Sequence, residues 1–120
     1  MLVPMALGDV LDRITILRIK AWKAQGEVRQ RLLAELEELI DRWEDEGHGS
    51  VPEEDDLEAV NRLLWEVEDA LREKEAEQDF GEDFVELARS VYRLNDRRAA
   101  LKRAVSLRLG SALVEEKIYS

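Results

Sequence analysis

Residues 82–110, EDFVELARSVYRLNDRRAALKRAVSLRLG, carry the longest uninterrupted helical pattern in the chain. Phe84, Leu87, Val91, Leu94, Leu101 and Val105 recur at the three/four spacing of a single helix face. At the midpoint of that stripe, where the next member should be apolar, stands Arg98, with Asn95, Asp96, Arg97 and Lys102 around it. A core-facing helix with a charged centre needs polar company there, because burying an unpaired charge is costly.

The preceding helix, expected at about 54–77, has a clean heptad in Leu57, Val60, Leu64, Val67 and Leu71. Asp79-Phe80-Gly81-Glu82 breaks it, and Asp79 as N-cap with Glu82 at the third position would start the next helix. So short a connection makes the last two helices an antiparallel hairpin, in which the numbers of facing residues sum to about 160. Trp65 then comes level with Asn95, Glu68 with Tyr92, Asn61 with Arg98, and Arg72 with Ala88 and Arg89. This register predicts a polar layer of Asn61, Trp65, Glu68, Arg72, Arg89, Tyr92, Asn95, Asp96, Arg98 and Lys102. Such a layer either fixes register between two apolar helices or forms a pocket for a small polar or anionic ligand. In the pocket reading Arg98 and Lys102 hold an anion, Trp65 and Tyr92 stack on it, and Glu68 orients it or takes a proton.

Earlier in the chain, Val10, Leu11, Ile14, Leu17, Ala21 and Trp22 give one helix face, which Ile16 and Ile19 widen. Asp9 is expected to open this helix, with Asp12 at a weak capping-box spacing. Gln25-Gly26 interrupts the pattern before Leu32, Leu36, Leu39 and Trp43 resume it, with Leu33 and Ile40 alongside. Gly110 suits the position just past the last helix. The expected architecture is all-α: one helical domain over residues 1–120, an antiparallel four-helix bundle with helices at about 8–24, 27–45, 54–77 and 82–109 and a long C-terminal hairpin. In the tail, Lys117-Ile118-Tyr119 could pair with Leu2-Val3.

Composition narrows the function. The 120 residues are 45% hydrophobic and 38% charged, with a net charge of −10 and no cysteine. So acidic a chain is repelled by phosphate backbones and anionic lipid, so neither nucleic acid nor a membrane surface is an expected partner. Disulfides and Cys-based zinc sites are excluded. There is no apolar run of membrane-spanning length and no basic leader before an apolar segment, which together suggest a cytoplasmic protein.

Residues 44–56, EDEGHGSVPEEDD, hold seven acidic side chains and no Lys or Arg, and form the one clear loop. The hairpin register lays the basic run Arg97, Arg98, Lys102, Arg103 and Arg108 beside residues 52–63, so the two charge runs are expected to complement each other. The only histidine, His48, lies in this loop and reads as a solvated side chain. A Ser-His-Asp set would have to use it, and no P-loop or GxGxxG motif occurs, so the reading leans away from an enzyme.

One catalytic alternative stands beside this. Glu35 and Glu38, then Glu66 and Asp69, form an ExxE…ExxD arrangement, and carboxylates at i and i+3 can share a hard divalent cation. The pattern resembles the metal signature of all-helical MazG-type nucleoside triphosphate pyrophosphatases, which would imply Mg²⁺ and those four ligands. In a chain with 28 acidic residues a solvated surface gives the same spacing. Outside this alternative no cofactor is expected.

A wider resemblance covers GDVLDRITIL (8–17), VNRLLWEVEDALREKE (60–75), FGEDFVELARSVYRLNDRRAALKR (80–103) and LGSALVEEK (109–117). These stretches are similar to a family of short, roughly 120-residue helical bacterial proteins of unknown function. Some occur beside or fused to glycosyltransferases of surface-polysaccharide synthesis. The family often has a Ser before the first helix where this chain has Ala6, so a missing cap and a late or frayed start are expected. The resemblance assigns no catalytic residues. With the wide apolar face of the first helix and three tryptophans, it points to a non-catalytic, self-associating module, a homodimer with a possible protein partner.

Overall fold

A computed structural model describes residues 6–110 as four α-helices: α1 (Leu7–Lys23), α2 (Gly26–Asp45), α3 (Glu53–Ala76) and α4 (Glu82–Arg108). No strand occurs among the described residues, and the helices pack as an all-α bundle. The suggested pairing of the tail with Leu2-Val3 lies outside the described residues.

The centre of the bundle is α1, which packs against all three other helices, while α3 and α4 form the hairpin and α2 packs mainly along α1. Its girth explains this. Leu11, Ile14, Leu17 and Ala21 are buried on one side, and Gly8, Asp12, Thr15 and Ile19 on another. The second set recurs at four, three, four, a helical stripe in its own right. The apolar core gathers Leu11, Ile14, Trp43, Val51, Leu57 and Val105, with Leu36, Ile40 and Leu101 packed around them.

The start of α1 differs from its sequence signals. Asp9 does not cap the helix, which begins two residues earlier with Ala6 in extended conformation as its N-cap and no side-chain cap. The expected loss of a cap is real, but the helix does not start late. The Gly8 amide donates instead to the Ser106 hydroxyl at 2.9 Å, so α4 supplies the acceptor that residue 6 cannot. At the hairpin turn, Asp79 is likewise not the cap of α4, since Gly81 holds that position. Asp79 instead closes the turn, accepting from the Gly81 amide at 3.2 Å and the Lys74 ammonium at 3.1 Å. These bonds, the amide first, hold its carboxyl below the ordinary value. Gly110, at φ +69°, ends α4 in the left-handed region that favours glycine.

The hairpin register matches the expectation. Arg108 donates through Nε and Nη2 to the two oxygens of Glu53 at 2.8 and 2.7 Å, joining the end of the basic run to the acidic start of α3, whereas Arg98 and Lys102 of that run pair with α1 instead. These bonds hold the Glu53 carboxyl below its ordinary value of 4.5, with smaller help from its own amide and from the Arg108 charge. A lowered folded-state value means this contribution to stability is complete at neutral pH and is lost as pH falls through the usual carboxylate range and below. Glu53→Gln should therefore lose less stability than wild type between neutral pH and about pH 3, read as the urea midpoint at each pH. An equal loss in both proteins would remove Glu53 from the acid response.

Candidate functional site

The polar centre of α4 closes onto α1. Arg98 donates through Nε to Oδ1 of Asp12 at 2.9 Å and through Nη2 to Oδ2 at 2.5 Å, a bidentate pair. Oδ1 also accepts from the Asn61 amide nitrogen at 2.9 Å, and that nitrogen donates to the Thr15 hydroxyl at 2.9 Å. The Thr15 hydroxyl donates back to the Asp12 carbonyl at 2.8 Å. One carboxylate on α1 thus ties together α3 and α4. The Asp12 side chain is 7% exposed and that of Arg98 30%, and no buried side-chain polar atom among the described residues lacks a partner. The Asp12 contact raises the Arg98 guanidinium further above its ordinary value, against desolvation.

One helical turn away, Lys102 meets Asp9 at 2.7 Å. Between that pair and Ser106, the two backbones touch. A Cβ on Gly8 would lie 1.9 Å from the Lys102 carbonyl oxygen, so α1 and α4 approach this closely only because residue 8 has no side chain. As numbers rise along α1 from Gly8 to Asp12 they fall along α4 from Ser106 to Arg98, so the two helices run antiparallel.

Of the ten residues expected in a polar layer, the structure brings three against α1 in hydrogen bonds or ion pairs. Asn61 and Arg98 are organised by Asp12, which the sequence pattern had placed in a cap, while Lys102 turns to Asp9 on the same helix. Trp65 is half-buried at the foot of α1, where the Lys23 ammonium lies 5.4 Å from its ring. Glu68, Arg72, Arg89, Tyr92, Asn95 and Asp96 are exposed. Arg72 pairs with Asp69 and Arg89 with Glu86, each within its own helix. Glu68 reaches Arg98 only as a weak long-range charge.

Sequence reasoning missed Asp12, Thr15, Gly8 and Ser106. A signal was present: Gly8, Asp12, Thr15 and Ile19 form a helical stripe, and its small and polar members mark where another backbone approaches.

Nor are the four carboxylates of the ExxE…ExxD spacing assembled. Glu35 pairs with Arg13, Glu38 with Arg42 and Asp69 with Arg72, while Glu66 is exposed. Among the described residues no group of three or more His, Asp or Glu side chains could hold a metal ion. His48 is not solvated as expected: its side chain is 17% exposed and its ring lies 4.9 Å from that of Trp43.

Beside the Asp12–Arg98 pair a cleft of about 280 Å³ is lined by Asp9, Arg13, Ile16, Leu17 and Lys20. Both Asp12 oxygens are taken by Arg98 there, and Asp9 pairs with Lys102. The fold and the site together define a small all-helical protein held by an internal charge tie. Over residues 1–120 the chain matches the family of unknown function DUF6165, and it belongs to that family. Comparison with curated proteins and with solved structures gives no match. No helix among the described residues is long and apolar enough to cross a membrane.

Proposed function

We propose that this protein is a non-catalytic helical module that self-associates through the projecting arm of its α3–α4 hairpin. The observation that carries this is the mismatch in helix length. At 17 residues α1 spans about 25 Å. The 24 residues of α3 and 27 of α4 span about 36 and 40 Å. The outer part of the hairpin therefore stands without a covering helix, and its apolar stripe is left incomplete. Tyr92 is 74% exposed, Phe80 55% and Val85 42%, while Leu71, Phe84, Leu87 and Val91 are only half-buried. At the foot of the arm Trp22 is 65% exposed, with the Arg62 guanidinium 5.4 Å from its ring. Exposed Trp, Tyr and Arg are the residue types that anchor interfaces.

A second copy suits this surface by its shape. Along the arm α3 is acidic, with Glu66, Glu68, Asp69, Glu73 and Glu75 against Arg72 and Lys74, while α4 is mixed, with Arg89, Arg93 and Arg97 among Glu82, Asp83, Glu86 and Asp96. A twofold axis laying α3 of one copy against α4 of the other sets Arg93 and Arg97 against the acidic α3 and completes a four-helix arrangement. Support for a protein partner in surface-polysaccharide synthesis comes from the family resemblance alone.

Light scattering at micromolar concentration should give twice the chain mass of 13.9 kDa. Tyr92→Glu, at a site too exposed to disturb the fold, should weaken the dimer by at least about tenfold. A strictly monomeric wild type contradicts self-association, and a variant dimer as tight as wild type contradicts the arm.

A further inference from the structure

One face of α1 from Leu11 to Arg18, the C-terminal end of α2, the loop joining α2 to α3 and Glu54 at the start of α3 line a cleft of about 530 Å³. That volume falls within the ~300–1,000 Å³ typical of small-molecule sites. The cleft shares no residue with the Asp12–Arg98–Asn61 tie or with the hairpin arm.

Its wall is a built structure. The Trp43 indole N–H donates to the Gly49 carbonyl at 3.0 Å, and the His48 amide donates to the Trp43 carbonyl at 3.1 Å. His48 packs its ring on Trp43, and Val51 is drawn into the core at 9% exposure. The loop is thereby folded back over the indole. Leu11, Ile14, Ile40 and Trp43 supply an apolar floor.

Charge on the rim is one-sided. Arg18 lies 2.9 Å from Glu54 and 3.5 Å from Glu58, so one cation already serves two carboxylates. Glu44, also on the rim, has no side-chain partner among the described residues. An anion meets this surplus of carboxylates on a chain of net charge −10 and is repelled. A hard metal ion finds no set of three ligands among the described residues.

We propose that this cleft binds a small organic ammonium ion, its apolar body on the Leu11, Ile14, Ile40 and Trp43 floor and its charge at Glu44. The body gains by leaving water, and the ammonium supplies the cation that Glu44 lacks. Glu54 remains with Arg18, so the cleft does not have to break its wall to accept the ligand.

Phenethylammonium tests this, followed through the backbone and indole ¹⁵N–¹H signals of the full chain. The expected result is a saturable shift of the Trp43 indole, His48 and Gly49 signals, half-complete below about 1 mM. With 3-phenylpropionate, of similar size and opposite charge, those signals should stay in place. Glu44→Gln, at an exposed position, should leave the rest of the spectrum unchanged and weaken the ammonium by at least about fivefold. Equal binding of the carboxylate, unchanged affinity in Glu44→Gln, or unsaturable shifts spread over the acidic helices would each overturn the proposal.

Discussion

Gly8→Ala is expected to destabilise the protein by about 3 kcal/mol or more, although helix propensity alone predicts a gain of about 1 kcal/mol. Gly8 lies inside α1, where alanine is the better helix former. The new Cβ would sit 1.9 Å from the carbonyl oxygen of Lys102, 2.6 Å from its carbonyl carbon and 2.9 Å from the Ser106 hydroxyl. Two of those atoms are backbone, so no rotamer change relieves the clash. The helix α4 must retreat by on the order of 1 Å. Doing so stretches the Gly8–Ser106 and Asp9–Lys102 contacts and then the Asp12–Arg98 pair. Urea denaturation of the two proteins decides the sign. A more stable variant would mean that the close approach of α1 and α4 does not exist.

Asp12→Ala is expected to cost about 3 kcal/mol, the lower end of the range for breaking a buried ion pair from one side. The lower end applies because the Arg98 side chain keeps 30% of its exposure and can recover some hydration. Asn61 loses the acceptor for one of its amide hydrogens in the same step. Exchanging both charges, as Asp12→Leu with Arg98→Met, should recover a large part of the loss, since an apolar pair of similar volume strands no charge. If Asp12→Ala leaves the urea midpoint within the range of ordinary surface substitutions, the tie carries no stability.

The two readings of Arg98 open to the sequence, a ligand pocket or a structural layer, are separated by where its partner comes from. The α3–α4 register was legible because the turn is short and symmetry about it fixes which residues meet. The Glu53–Arg108 pair, whose numbers sum close to the expected value, shows that this argument holds along the length of the hairpin. The four helices were legible for similar reasons, since apolar periodicity places an element from its own residues. No such rule reaches from Arg98 back to Asp12. The two lie far apart in sequence, and which face of α1 meets α4 depends on a backbone contact at Gly8 that periodicity does not register.

Asp12 was misread for a further reason. Early in a helix an acidic residue is favourable to the helix dipole, so a capping role explained it fully without any tertiary partner. Tertiary packing took the residue instead, moved the start of the helix to Leu7, and gave the amide of Gly8 to a hydroxyl on α4. His48 shows the same limit. Flanked by glycines in an acidic loop it reads as solvated, yet the Trp43 indole pulls that loop over itself through the Gly49 carbonyl.

The central helix is tied at one carboxylate, with a cleft of about 280 Å³ beside the tie. The most direct test of that tie is a double-mutant cycle on Asp12→Ala and Arg98→Ala, measured by urea denaturation at neutral pH. A coupling of about 2 kcal/mol between the two positions is the predicted result. Effects that simply add, to within about 0.5 kcal/mol, would contradict it, leaving Arg98 free of α1 and available to a ligand.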